Sequence, residues 1–506
     1  MEAIDQLRLD FREGRLNVER LFDVIVTLQR QLESSQRQLE SAKQRIEELE
    51  KKLGGPATAK VEEAFSMRAE EKRQEARLKK KKRKAAHKSR RGRVTTQEKL
   101  KLAQRKEDCF PEGVPVQDCH LSHARPVWRL ENGRAVLIAY QIYRGPKNQY
   151  GKIPGVLGRS EIGMEIVVEV AYLVYVMGLS MDKACQLLQF LQHLRLGKSQ
   201  ADALLRQLAR HWQHEFDVLC TLLANSLVVH TDETGWSINS VWAFLSEKAR
   251  VLFFGVHKDA DTLEHILDPK TFLGLLISDD AAVYANFSQS QKCWAHLLRK
   301  AIKLTLQEPD NPEYRQFTDR LLEIYRKACR IQRDGRLSES GLARKVAELE
   351  EELMELCAPV WNLELPPQEG VVGDYRLLVN EVMRLTLEEQ LFTFVTTPAA
   401  VQPNGASQPV SGTNNEAERT LRGPATARDT GRTSKSLVGA RRQTILVSVL
   451  ESLRLYLPQF TLQSVMEEID RWERAGKSCF TRLLNKLKLP CPTETILDKV
   501  LPIPSG

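Results

Sequence analysis

The centre of this chain is predicted to be an α/β domain, preceded and interrupted by helical segments, and three features of the sequence carry that expectation. Between residues 226 and 280, four short apolar runs at 227–230, 241–245, 251–256 and 275–278 have the length and composition of buried strands. A helical stretch at 262–267 separates the third run from the fourth, the alternation that an α/β sheet requires. Residues 297 to about 390 then change to long charged helices, such as 343–356. After them a loop rich in Pro, Gly, Ser and Thr at 396–412 leads into a further helix.

The flanking segments follow from charge and periodicity. Leu21, Leu28, Ser35, Ala42 and Leu49 recur every seven residues, and Ile25, Leu32, Leu39, Ile46 and Leu53 recur four residues out of phase. This is an a/d seam with Ser35 as its one polar member, so residues 1–55 are expected to form a coiled coil joining copies of the chain. An amphipathic helix docked on its own chain is the plainer alternative. Gly54, Gly55 and Pro56 end the pattern.

A basic linker is assigned to 56–105. Within it, residues 68–93 hold fourteen Lys or Arg against three Glu, a local +11 in a chain of net charge +9, so the remainder sums to −2. Such a run either contacts phosphates or keeps a linker solvated. Its concentration in an otherwise near-neutral chain favours phosphate, with Lys79, Lys80, Lys81, Lys82, Arg83, Lys84, Arg90 and Arg91 as the contacts.

Residues 106–158 read as a small β-rich region. Cys109, Cys119, His120 and His123 are zinc-ligand types within fifteen residues, but they lack the close Cys pairs of the common fingers, and ordinary strand is the preferred reading. Residues 159–225 look helical, broken at Gly178-Leu179-Ser180 and Gly197-Lys198-Ser199. Three short helices with tight turns resemble a helix-turn-helix DNA-binding module, a pattern that helical domains with no DNA role share. Residues 476–506 are left as a tail. No apolar run reaches the roughly 18–20 residues of a membrane span. The first residues are acidic and unlike a secretion signal, and nine scattered cysteines contain no C-x-x-C pair. A reducing, cytoplasmic compartment is expected.

Three carboxylates stand where α/β sheets present functional groups. Asp232 follows the first strand in His230-Thr231-Asp232-Glu233-Thr234, and Asp279 follows the fourth in Ser278-Asp279-Asp280-Ala281-Ala282-Val283-Tyr284. Glu418 lies in the first turns of a helix opened by Asn414 and Asn415. Each alone has an ordinary explanation, since Asp after a strand is often a turn residue and Glu suits a helix start. Together they form an oxygen-rich donor set of the kind that holds Mg²⁺ on phosphates.

Those strings, with Cys293-Trp294-Ala295-His296-Leu297-Leu298-Arg299-Lys300 and Thr413-Asn414-Asn415-Glu416-Ala417-Glu418-Arg419-Thr420-Leu421-Arg422, closely resemble the insertion-sequence 66 transposase family in their order. The resemblance covers roughly residues 150–475, and the coiled coil with a basic linker is also similar. It implies a ribonuclease H-like catalytic domain at 226–300 and 410–475, with a helical insertion at 301–395 before the last acid. It also implies a D-D-E triad of Asp232, Asp279 and Glu418. Asp280 is the competing second Asp, set aside because the matching acid stands five residues before Tyr284.

The activity so implied is Mg²⁺-dependent cleavage of transposon ends and strand transfer into target DNA, using two ions, with Mn²⁺ as a substitute. Zinc is not expected, since Cys293 and His296 have no further ligands nearby in the sequence. His296, Asn414 and Asn415 are expected to support the active site, Cys293 and Trp294 to be strand core, and Arg299, Lys300, Arg419 and Arg422 to meet DNA. The implied partners are transposon-end and target DNA, a second copy of the chain and accessory proteins of the same element, in a nucleoid-associated setting with no membrane. Two rivals stay open: a non-catalytic dimeric DNA-binding protein, and a nuclease of the same fold that cuts without joining. The chain departs from the family in lacking a cysteine-rich finger after the linker. It also carries Arg428-Asp429-Thr430-Gly431-Arg432 where an Arg-Lys-Asn-like stretch is usual.

Overall fold

The computed structural model describes residues 94–362 and 369–502, with five isolated positions further upstream, Val26, Gln29, Glu33, Gln36 and Glu40, in helical backbone with exposed side chains. The a/d seam and the basic run of 68–93 lie outside the described residues. The chain divides into two units, 1–93 and 94–506, and the second is the subject below.

It opens with helix α1 (Thr96–Leu102), whose Thr95 and Glu98 cap each other reciprocally. Strands β1 (Arg105–Cys109), β2 (His120–Glu131) and β3 (Arg134–Arg144) form a small sheet in the order β1-β3-β2. The β2–β3 hairpin turns on Asn132 and Gly133, at φ of 49° and 75°. Two consecutive positive φ values are what a two-residue turn between twisted antiparallel strands demands, and Asn-Gly supplies them at least cost. Cys109 is buried there, while His120 and His123 are exposed on β2.

Helices α2 (Met164–Ala171), α3 (Met181–Gln192), α4 (Lys198–His211) and α5 (Gln213–Ala224) follow, α2 running on into one π-helical turn at Tyr172–Val176. They are not an independent core. Leu205, Leu208, Phe216, Leu219 and Leu223 share one apolar cluster with Val229, Trp242, Phe244 and Phe253 of the central sheet.

That sheet consists of β4 (Val228–Gly235), β5 (Ser240–Ser246), β6 (Arg250–Val256), β7 (Leu275–Ser278) and β8 (Ser290–Lys292) in the order β6-β5-β4-β7-β8. The first three strands run antiparallel, and β7 and β8 add parallel to β4. This mixed α/β core is consistent with a ribonuclease H-like transposase domain. Helix α6 (Ala260–Ile266) makes the crossover from β6 to β7.

Side-chain alternation along the strands divides the sheet into two faces. Val229, Trp242, Phe244, Phe253 and Leu276 face the cluster just described. On the opposite face, Val228, Leu275 and Ile277 join a second cluster with α7 (Trp294–Gln307), α8 (Pro312–Gln332), α9 (Glu339–Cys357) and α10 (Val371–Leu387). Val241, Ala243, Leu252 and Phe254 on that face pack with Leu421 of α12 (Asn415–Asp429) and Val447 of α13 (Leu437–Tyr456). Short helix α11 (Thr393–Thr396) closes the inserted helical stretch.

The outer edge of β6 would leave unpaired N–H groups. Helix α13 covers them with hydroxyls spaced four residues apart, one per turn of the helix. Phe254 N–H donates to Thr444 Oγ1 at 3.0 Å, Leu252 N–H to Ser448 Oγ at 2.9 Å, and Arg250 N–H to Ser452 Oγ at 2.9 Å. Helices α14 (Leu462–Ala475), α15 (Cys479–Lys486) and α16 (Leu497–Val500) complete the unit. Among the described residues, no helix is long and apolar enough to cross a membrane.

Candidate active site

On β4 the same alternation that buries Val228 puts His230 and Asp232 on its face of the sheet, in the interval between the two clusters that cover that face. On β7, Leu275 and Ile277 point the same way, and Asp279 is next in phase just past the strand end. Helix α12 packs across β4 and β5, and carries Glu418 one turn inside its start.

Three bonds fix that start. Trp294 N–H donates to Gly412 O at 3.1 Å, Asn414 N–H to Cys293 Sγ at 3.1 Å, and Asn414 Nδ2 to Thr231 O at 2.7 Å. Asn414 is 1% exposed, so its two bonds to the strand region set where Glu418 stands. Asn415 is exposed at the head of α12 and accepts from its own helix's Arg419 Nε.

The electrostatics of this face are those of crowded acids. Burial pushes the Asp232 carboxyl up to about 7, and the negative charges of Glu233, Asp279 and Glu418 add to the rise. Asp232 is therefore within electrostatic reach of both other sequence-selected acids. Asp279 Oδ1 accepts from Ala281 N–H at 3.1 Å, and the Asp279 carbonyl accepts from Ser278 Oγ at 2.8 Å and from buried Lys292 Nζ at 3.2 Å. Asp280 differs: its carboxylate is paired with Arg384 of α10.

Sequence reasoning missed Glu233. Its side chain is only 2% exposed, on the opposite face of β4 from Asp232. It pairs with Lys258 Nζ at 2.7 Å and accepts from the hydroxyl of buried Tyr284. The Asp-Glu string was the available signal, but which acid faces which side is legible only once the strand's facing is known.

Other expected residues are placed as follows. Arg299 donates to both oxygens of Glu418, at 2.7 and 3.0 Å, and His296 Nε2 lies 3.7 Å from Glu418 Oε1. Lys300 pairs with Glu381 of α10 at 2.5 Å, and Arg419 and Arg422 are exposed on α12. Arg428 reaches back to Gly235 O at 3.1 Å, so the departing 428–432 stretch closes against the end of β4. Lys79 to Lys84, Arg90 and Arg91 lie outside the described residues.

Two expectations need correction. Cys293 and Trp294 are not strand core: β8 stops at Lys292, Cys293 caps α7 and Trp294 begins it, buried among Tyr325 and Phe392. The exclusion of zinc also fails. Cys293, His296 and Glu418 offer one ligand atom each, all within 4.8 Å of one another, a donor set suited to zinc or another metal. Among the described residues it is the one group of three or more His, Cys, Asp or Glu gathered so closely, and the Cys109, Cys119, His120 and His123 set is not such a group.

None of the curated proteins matches the chain. A family model described as "Transposase IS66 family" matches residues 159–442, more than half of the sequence, including both strand-end acids and the start of α12. The chain therefore belongs to the insertion-sequence 66 family of transposases.

Proposed function

We propose that the protein is a DNA transposase that uses Asp232, Asp279 and Glu418 for Mg²⁺-dependent cleavage of transposon ends and strand transfer into target DNA. The observation that carries this reading is the raised Asp232 carboxyl: burial and the charges of Glu233, Asp279 and Glu418 keep its proton on to about pH 7. Asp232 and Asp279 on this sheet face, with Glu418 on the helix across it, add like charges to a buried carboxyl, and a divalent cation relieves that repulsion. Their oxygen donors are of the hard type Mg²⁺ prefers.

A cation held by Asp232, Asp279 and Glu418 would neutralise charge on a scissile phosphate during in-line displacement. The chain's own residues supply position. Asn414 fixes the start of α12, Lys292 steadies the backbone at Asp279, and Arg299 orients Glu418. Exposed Arg419 and Arg422 on the same helix are suited to hold DNA phosphates beside the acids. Seam-mediated pairing through 1–55 would bring two ends together, and the basic run would supply affinity without sequence preference.

The test is cleavage of labelled DNA carrying the element's ends, with Mg²⁺ or with EDTA, for the wild type and Glu418→Gln. Cleavage by the wild type with Mg²⁺ alone, and by the variant under neither condition, is expected. Equal cleavage by the variant would remove Glu418 from the chemistry.

A further inference from the structure

Cys293 and His296 sit at the first turn of α7, 125 and 122 residues before Glu418, yet the stitched start of α12 brings the three together. Their separations can be compared with what a metal needs. Tetrahedral zinc with bonds of about 2.3 Å to sulfur and about 2.0–2.2 Å to nitrogen and oxygen spaces its ligands by roughly 3.4–3.6 Å. His296 Nε2 and Glu418 Oε1 are 3.7 Å apart, and no pair among the three ligand atoms exceeds 4.8 Å. Closure onto an ion asks only for small side-chain adjustments.

Further observations point to a ligand. His296 turns Nε2 towards Glu418, and its other nitrogen, Nδ1, has no hydrogen-bond partner that holds the ring to another group. The Cys293 sulfur accepts the Asn414 N–H at 3.1 Å, which holds it at the head of α7 directly beside the start of α12. Arg299 approaches Glu418 from an exposed position, and a carboxylate has acceptor capacity for both a guanidinium and a metal.

We propose that Cys293, His296 and Glu418 form a soft-metal site, for Zn²⁺ or Co²⁺, with three protein ligands and an open fourth position. The proposal rests on the preceding reading only in that it shares Glu418. Binding replaces the Cys293 thiol proton, which leaves to solvent, with the metal. Arg299 would yield Oε1 to the metal, keep its bond to Oε2 and so orient the ligand, as outer partners of metal sites do. The ion would tie α12 to α7 and hold the last acid of the proposed triad in a defined place.

The experiment is titration of the full-length, metal-stripped chain with Co²⁺, read by its visible spectrum, followed by zinc quantification after dialysis. One equivalent is expected, with a thiolate-to-cobalt charge-transfer band. Cys293→Ser should remove that band, and His296→Ala should weaken binding by at least about tenfold. Arg299→Ala keeps all three ligands and should lower affinity by roughly tenfold. Asp232→Asn should bind Co²⁺ as the wild type does while losing cleavage, so failure of this site and failure of the transposase reading give different results. If Cys293→Ser does not fold, the loss in His296→Ala decides. A wild-type spectrum without a thiolate band, or binding unchanged in His296→Ala, overturns the proposal.

Discussion

Replacing Asp232 by Asn should stabilise the metal-free protein, and by an amount that grows with pH. The Asp232 carboxyl rises from an ordinary 3.8 to about 7 in the folded chain. The folded state then binds the proton more tightly than the unfolded state, so stability is full below about pH 4. It falls as pH rises towards 7, and above 7 the loss is complete. Roughly three pKa units at 1.36 kcal/mol each give a cost near 4 kcal/mol at pH 8, an upper figure because the acids share their titration.

Asn carries no charge at any pH and escapes this cost. For a unit of 413 residues, with an unfolding entropy of about 2.1 cal/mol/K per residue, each kcal/mol shifts Tm by roughly 1 °C. Thermal unfolding in EDTA at pH 5.5 and pH 8 should show the Asp232→Asn advantage widening by about 2 °C between the two. Mg²⁺ at pH 8 should raise the wild type and narrow the gap. A gap that is constant with pH, or that shrinks as pH rises, would refute the raised Asp232 carboxyl.

Three other outcomes follow from the same account. Asp279→Asn should abolish Mg²⁺-dependent cleavage with DNA binding nearly intact, whereas Asp280→Asn, whose partner is Arg384 on a neighbouring helix, should be much milder; gel-based cleavage and binding assays compare them. Residues 1–55 should self-associate at micromolar concentration in sedimentation, and Leu32→Lys with Leu39→Lys should return them to monomer. Replacing Lys79, Lys80, Lys81, Lys82, Arg83 and Lys84 with Gln should flatten the salt dependence of DNA binding by about 0.9 in log–log slope per lost phosphate contact. Unrelated and specific DNA should weaken alike.

The α/β core was legible because its strands are written in a strong code. The runs at 227–230, 241–245, 251–256 and 275–278 are apolar, β-rich and bounded by polar residues, and they became β4 to β7. β8 was not legible: Ser290, Gln291 and Lys292 are polar, yet all three are buried, with the Gln291 amide bonded to Leu391 O. Without an apolar run to mark it, Cys293 and Trp294 were taken as the strand, when they begin α7 without a side-chain cap to announce it.

At the site, strand-end and helix-start positions pointed to Asp232, Asp279 and Glu418, and the family resemblance joined them into an expected triad. It could not show which neighbours touch them. Glu233 meets Tyr284 through the facing of β4, and Arg299 meets Glu418 across 119 residues. Zinc was set aside because ligands for Cys293 and His296 were sought nearby in sequence. The third donor came from α12, which only the folded sheet brings alongside.

Strand transfer tests the central claim most directly. Precut, labelled transposon ends are incubated with target DNA and Mg²⁺, using wild-type protein and Asp232→Asn, and joined products are resolved on a denaturing gel. The account predicts covalently joined end–target products with the wild type and none with the variant, while both bind the ends with similar affinity. Joining by Asp232→Asn at the wild-type level, or no metal-dependent joining by a wild type that binds the ends, would contradict it.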